Sequence, residues 1–327
     1  MRKLRHIVVC ALCAVGVLLP VQFFGATAAQ AVTFTNLTLI NGWTAGPFST
    51  GKPAVANIGG IVHFRGAIAT SGTNPEPFVL PASFRPSTNV FVPVDLCNAN
   101  NGRLDITPSG DVTVQQQSGD PFSNAQCFTS LDGVTFALSA AGFTGLTLQN
   151  GWTNAPFGTS NAAVRNISGV IRFKGAVASG TSGVLFTLPA SFRPATDVYV
   201  PVDLCNATNG RLHITTSGAV DVEPEGGTFS NAQCFTSLDG ASFALSAAGY
   251  TALTLQNGWA GGPFGTSAPA ASDVSGVVQL EGAMSTSGTN PVAFTLPSPS
   301  LPRRTPTSRW TCATPPTGAC SSTPTAR

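Results

Sequence analysis

The chain states one passage more than once. Phe143-Thr-Gly-Leu-Thr-Leu-Gln-Asn-Gly-Trp152 has a counterpart at Phe34–Trp43 and another at Tyr250–Trp259. Leu188–Pro194 (Leu-Pro-Ala-Ser-Phe-Arg-Pro) repeats Leu80–Pro86, Val200–Ala207 repeats Val92–Ala99, and Phe229–Gly240 repeats Phe122–Gly133. The spacing is 109 and then 107 residues, too long for a solenoid repeat and the length of a whole domain. The fold must therefore be one that a unit of this size completes by itself and that can be set in tandem. The repeats place the first unit at 32–142, the second at 143–249, and a third, holding only the first half of the pattern, at 250–296.

Both ends of the chain depart from the repeat. Arg2, Lys3 and Arg5 precede an apolar run, Ile7–Phe24, and Ala29-Gln30-Ala31 offers a small-x-small cleavage site. Residues 1–31 read as a secretory signal peptide whose removal leaves no membrane-spanning stretch. From Pro297 the pattern gives way to Pro, Thr, Ser, Arg and Cys without periodicity. The genetic code rationalises this. When the first two bases of each codon from Thr305 to Cys320 are joined to the last base of the codon before, the codons permit Asn-Ala-Tyr-Val-Pro-Val-Asp-Leu-Cys-Asn-Ala-Thr-Asn-Gly-Arg-Leu. From its Tyr onward that string is Tyr199–Leu212, residue for residue. Residues 297–327 are expected to be an out-of-frame, disordered continuation of the third unit.

Within a unit the hydrophobic period is two. Val62, Phe64, Gly66 and Ile68 align with Ile171, Phe173, Gly175 and Val177, and with Val278, Leu280, Gly282 and Met284. The intervening positions are His63 and Arg65, Arg172 and Lys174, Gln279 and Glu281. One dry and one wet face predict a half-buried antiparallel strand over Gly60–Ala69. Further strands are predicted at Phe78–Pro81, Asn89–Cys97, around Leu104 and Ile106, around Val112 and Val114, at Gln126–Thr129 and at Val134–Leu138, separated by Gly, Pro, Asn and Asp turns. No stretch carries a helical period over enough residues to define a helix. The expected class is all-β: tandem small antiparallel β-sandwich domains, with the jelly roll as a variant.

Charge and cysteine narrow the function. Between Val32 and Leu296 there are 9 Lys+Arg against 14 Asp+Glu, a net of −5 without a basic run, which argues against nucleic acid as a partner. Cys97 with Cys127 and Cys205 with Cys234 form one pair per full unit. In an exported chain each pair predicts an intradomain disulfide worth roughly 3 kcal/mol in the chain-entropy model. No phosphate loop, zinc or calcium motif is present, and no Ser-His-Asp arrangement is shared by the repeats. No catalytic residue, metal site or cofactor is expected. Asp95 and Asp203, with Asp132 and Asp239, could be read as acid/base pairs, but Asp-Gly is ordinary turn chemistry. Trp43 and Trp152 offer either a sugar-stacking platform or packing beside a hairpin turn. Arg85 and Arg193 could bind an acidic ligand or cover a sheet end. These four are the candidate ligand-binding residues, and in each case the packing reading ranks first.

Asn-Gly-Trp near the start, an apolar strand ending Phe-Arg-Gly or Phe-Lys-Gly, Leu-Pro-Ala-Ser-Phe-Arg-Pro, and a late Ser-Leu-Asp-Gly-x-x-Phe together resemble a β-domain of bacteriophage tail-fibre and minor tail proteins. The resemblance covers both full units and half of the third. It implies glycan or receptor binding at a surface, frequently by trimers. The signal peptide and the cysteine pairs depart from that family and fit a secreted bacterial protein built from a similar domain. The expected function is a secreted, non-catalytic binding or surface-interaction module, with a surface glycan or protein as partner. The alternatives are a spacer of the cell surface and, more weakly, a secreted hydrolase.

Overall fold

The computed structural model describes residues 32–225 and 228–296. The predicted signal peptide and out-of-frame tail lie outside the described residues. Unit one runs β1 (Thr35–Asn36), β2 (Trp43–Ala45), β3 (Ala54–Ile58), β4 (Ile61–Arg65), β5 (Ala67–Thr70), β6 (Phe78–Val79), β7 (Val90–Asp95), β8 (Asn101–Ile106), β9 (Asp111–Gln116), α1 (Ser123–Cys127), β10 (Thr129–Ser130) and β11 (Thr135–Ala137). Every pairing is antiparallel, in sheets ordered β1-β3-β4-β11, β10-β5-β2 and β6-β9-β8-β7. Unit two repeats all three sheets in the same order. Alternating apolar side chains from the two four-stranded sheets meet in one core, where Phe64, Phe78, Leu104, Ile106 and Phe136 pack with Val62 and Val92. The architecture is the predicted tandem antiparallel β-sandwich, and the disulfides Cys97–Cys127 and Cys205–Cys234 are both formed.

The single strand expected over Gly60–Ala69 is two strands. Gly66 stands between β4 and β5 at φ +87°, a left-handed turn that passes the chain from one sheet to the next. Its N–H donates to Asp132 Oδ1 at 2.8 Å, so the Leu-Asp-Gly turn serves to lock this corner. The strand expected over Gln126–Thr129 is also corrected. Gln126 and Cys127 lie in the one-turn helix α1, and Thr129 Oγ1 donates back to the Ala125 carbonyl at 3.0 Å. A helix this short leaves no period in the sequence.

The wet face predicted opposite Val62 and Phe64 is the largest departure. His63 is 6% exposed, Arg172 7% and Lys174 0%. These side chains are covered because the units pack on one another, and Lys174 Nζ donates to the Ala137 carbonyl of the preceding unit at 3.2 Å. Unit three shows the reverse. Its residues through 296 form a β-hairpin, Ala270–Val274 with Val277–Glu281, and short flanking strands. Val278 and Leu280, whose counterparts Ile171 and Phe173 are buried, are 59% and 53% exposed.

The Gly66 corner recurs at Gly175, φ +92°, where a Cβ would run into the carbonyl oxygens of Ser160 and Asn161. Gly169 has φ +83° and nothing near its missing Cβ. Gly175→Ala should therefore lower stability by more than about 3 kcal/mol, combining clash and backbone strain, and Gly169→Ala by only about 1–2 kcal/mol from strain alone. Urea denaturation of the two variants reads this directly; equal losses would show that the crowding at Gly175 does not count.

Candidate functional site

The side chains singled out in the sequence are engaged by the fold. Trp43 and Trp152 are both 5% exposed. Their indole N–H groups donate to the carbonyls of Asn74 at 3.0 Å and Ser182 at 2.8 Å. Each ring lies over the loop opposite its hairpin turn, with no free face for a sugar. Arg85 Nε donates to the Leu80 carbonyl and Arg193 Nε to the Leu188 carbonyl, each at 2.9 Å. These guanidinium groups tie down the bend after their own strand and are not brought to the tryptophans. His63 is buried, and Asp132 accepts from Gly66 N–H. Among the described residues no group of His, Cys, Asp and Glu is placed to hold a metal ion, and no helix is long and apolar enough to cross a membrane.

The joint between units one and two is the best-defined polar constellation. Phe91 packs edge-on against Phe235 with ring centres 5.1 Å apart, and its carbonyl accepts from Ser237 Oγ at 2.6 Å. Arg103 lies over the Phe91 ring at 4.8 Å and reaches Asp203 at 3.2 Å. Asn89 N–H donates to the Gly158 carbonyl at 3.1 Å, and Asp197 N–H, its counterpart one unit on, to the Gly265 carbonyl at 3.2 Å. The same contact is thus made twice. Burial raises the Asp203 carboxyl to about 7, opposed by the charge and hydrogen bond of Arg103. Asp239, also in this joint, is raised by burial to about 6, opposed by Lys174 and the Gly175 N–H. Burial, helped by Arg172, lowers His63 to about 4.

Each of the three units also carries a feature that sequence reasoning passed over. Phe48, Phe157 and Phe264 are 74%, 60% and 82% exposed, and all three are left-handed, at φ 54°, 54° and 55°. For a bulky residue this is a rare conformation that costs about 1–2 kcal/mol. The local sequence holds it in place. A proline precedes each phenylalanine, and the hydroxyls of Thr50, Thr159 and Thr266 donate to the carbonyls of Pro47, Pro156 and Pro263 at 2.6, 2.7 and 2.6 Å. Asn89 Nδ2 donates to the Phe157 carbonyl at 3.0 Å, so the preceding unit steadies this turn. The outer edge of each ring projects into solvent, while Phe128 and Phe235 support Phe48 and Phe157 edge-on at 5.8 and 5.6 Å. The signal was available in the sequence: a Pro-Phe pair recurs in an otherwise polar loop of all three units.

No family model and no curated protein matches the chain. Among solved structures, the receptor-binding protein (gp15) of Listeria phage PSA is similar over 31% of this chain and 62% of its own length, at 18% identity and a TM-score of 0.25. The match spans less than two thirds of that protein, and at this TM-score it carries no argument about what this chain does.

The buried carboxyls make stability depend on pH. Asp203 and Asp239 hold a proton more tightly folded than unfolded, where their ordinary value is 3.8. The stability they contribute is complete below about pH 4 and is lost as pH rises through about 6 and 7. His63 acts in the opposite sense, its contribution being lost as pH falls from 6.5 through about 4. Comparison with Asp203→Asn isolates one term. Relative to the variant, the unaltered chain should lose on the order of 3 kcal/mol between pH 4 and pH 8. Denaturant midpoints across that range check it; parallel curves would mean that Asp203 does not titrate in the joint.

Proposed function

We propose that the chain is an exported, non-catalytic surface-interaction protein that engages a glycan or protein at a cell surface through its repeated phenylalanine turns. The observation that carries this reading is the recurrence of a solvent-projecting phenylalanine, in a conformation that costs free energy, at the same place in three units. Strained and exposed apolar residues gather where a protein meets a partner. Covering such a ring yields about 2 kcal/mol, and three rings on one chain add up through multivalency. The disulfides fit an oxidising compartment. Asp132 and Asp203 are held within the fold by the Gly66 N–H and Arg103, and His63 is buried. A second reading, a spacer of the cell surface, draws on the joint, which fixes one unit against the next and needs no ligand.

The two readings part on a binding measurement. Binding to cell-wall preparations and glycan arrays should fall several-fold in each of Phe48→Ala, Phe157→Ala and Phe264→Ala, and to background in the triple variant, with circular dichroism and disulfides unchanged. An unaltered chain that binds no better than an unrelated β-protein leaves only the spacer. Binding that survives the triple variant removes the phenylalanine turns from the account.

A further inference from the structure

Two surfaces of one joint can be followed from unit to unit. The giving surface carries Phe91 and Arg103 in unit one, and Tyr199 and Arg211 in unit two. The receiving surface carries Asp203, Phe235 and Ser237 in unit two, and Asp95, Phe128 and Ser130 in unit one. Where the two meet, Asp203, Phe235 and Ser237 are 1%, 1% and 0% exposed. Among the described residues nothing covers the receiving surface on unit one: Asp95 is exposed, and Phe128 and Ser130 are half-buried. On unit two the giving surface is bare as well, with the Arg211 side chain 57% exposed against 16% for Arg103. Arg211 lies over the Tyr199 ring at 4.9 Å, as Arg103 lies over Phe91. It is set in the joint's geometry but has Glu223 of its own sheet as its partner, at 2.6 Å.

The bare surfaces face a common space. One open cleft is lined by Asp95, Ser130 and Asp132 of unit one with Pro201 and Asn209 of unit two, and a neighbouring cleft, lined by Tyr199 and Arg211, shares Pro201 and Asn209 with it. Unit three comes back towards the start of unit one: a Cβ placed on Gly276, in its hairpin turn, would lie 2.8 Å from Val32 Cγ2. A linear string of domains would hold these features apart, whereas three units turning about one axis bring them together. A further cleft is lined by Leu280 and Glu281 of unit three with Val200, Pro201 and Ser242, which also line the first, and Leu280 belongs to the uncovered core face of unit three, exposed at Val278 and Leu280. Three deficits, two polar and one apolar, therefore converge on the place that the second half of a third repeat would fill.

We infer that this vacancy is the seat of the second half of the same repeat, which closes the three units into a ring within one chain, and that the shifted frame of codons 305–320 encodes the part of this half that corresponds to 197–212. The hidden string supplies what the surfaces lack. Its Asp, spanning the codons of Trp310 and Thr311, is the counterpart of Asp203 and meets Arg211. Its Arg, spanning those of Gly318 and Ala319, is the counterpart of Arg103 and meets Asp95. Its Tyr is the counterpart of Phe91 and meets Phe128. The inference stands apart from the phenylalanine turns and does not depend on what they bind.

The test uses the full chain and a chimera in which residues 298–327 are replaced by a second copy of 190–249. Hydrogen exchange should slow about tenfold or more at Val94–Ala99, at Tyr199–Asp203 and at Val277–Glu281 in the chimera. Arg211→Ala should lower the Tm of the chimera by about 3 °C and leave that of the present chain unchanged. A chimera that protects Val277–Glu281 but not Val94–Ala99 has a complete third unit without a ring, and overturns the proposal; so does one whose third unit stays unprotected. The coding DNA is the second measurement. Its shifted frame should spell the repeat through those codons, and any other reading removes the proposed occupant.

Discussion

Covering Asp203 takes a carboxylate out of water, which costs several kcal/mol, and one guanidinium at 3.2 Å offsets only part of that. The joint therefore has to draw its strength from elsewhere. Phe91 and Phe235 bury their rings together with Ala176 and Cys205, and the hydrogen bonds at Ser237, Asn89 and Lys174 satisfy polar groups that would otherwise be stranded. Apolar burial supplies the gain, and the charged pair fixes which surface meets which. This division of labour keeps the surfaces of the joint from being sticky where they are uncovered: an exposed Asp95 or Arg211 is at ease in water.

The domain-scale features were legible because they depend on local chemistry. Alternating Val, Phe and Ile residues placed the core face, Asn-Gly and Asp-Gly placed the turns, and evenly spaced cysteines placed the disulfides. What stayed hidden depends on neighbours. Lys174 has the pattern of a solvent-facing residue and is fully buried, because another unit lies on it. Gly66 read as one more position in a strand, yet its φ turns the chain into a second sheet. Trp43 and Arg85 could be assigned two roles each from sequence; their hydrogen bonds to the carbonyls of Asn74 and Leu80 give each a place in the fold.

Near-identical sequences in different surroundings also separate intrinsic from contextual burial. Cys97 and Cys205 occupy the same turn and make the same disulfide, but only Cys205 is buried. Asp132 and Asp239 occupy the same turn, and only Asp239 is enclosed. The internal cores of units one and two, by contrast, are buried alike at Phe64 and Phe173, Leu104 and Leu212, Phe136 and Phe243. Each unit therefore owns its core, and differences in exposure between units report what lies beside them.

The phenylalanine turns reverse that logic. Phe48, Phe157 and Phe264 have different neighbours, yet their φ angles (54°, 54° and 55°) and ψ angles (33°, 32° and 35°) nearly coincide. The conformation is thus set by the turn itself: the preceding proline, a left-handed residue before it, and the threonine hydroxyl bonded to the proline carbonyl. A glycine would adopt the same angles at lower cost. It stands at the residue before the proline in two of the three turns, Gly46 and Gly262, but never at the phenylalanine. Packing does not explain the choice, since Phe264 lacks the aromatic support that Phe128 and Phe235 give the other two and keeps the same geometry. What the three positions share is a ring held outward by its own turn, and that is the physical basis for reading them as a surface made to be covered by something else.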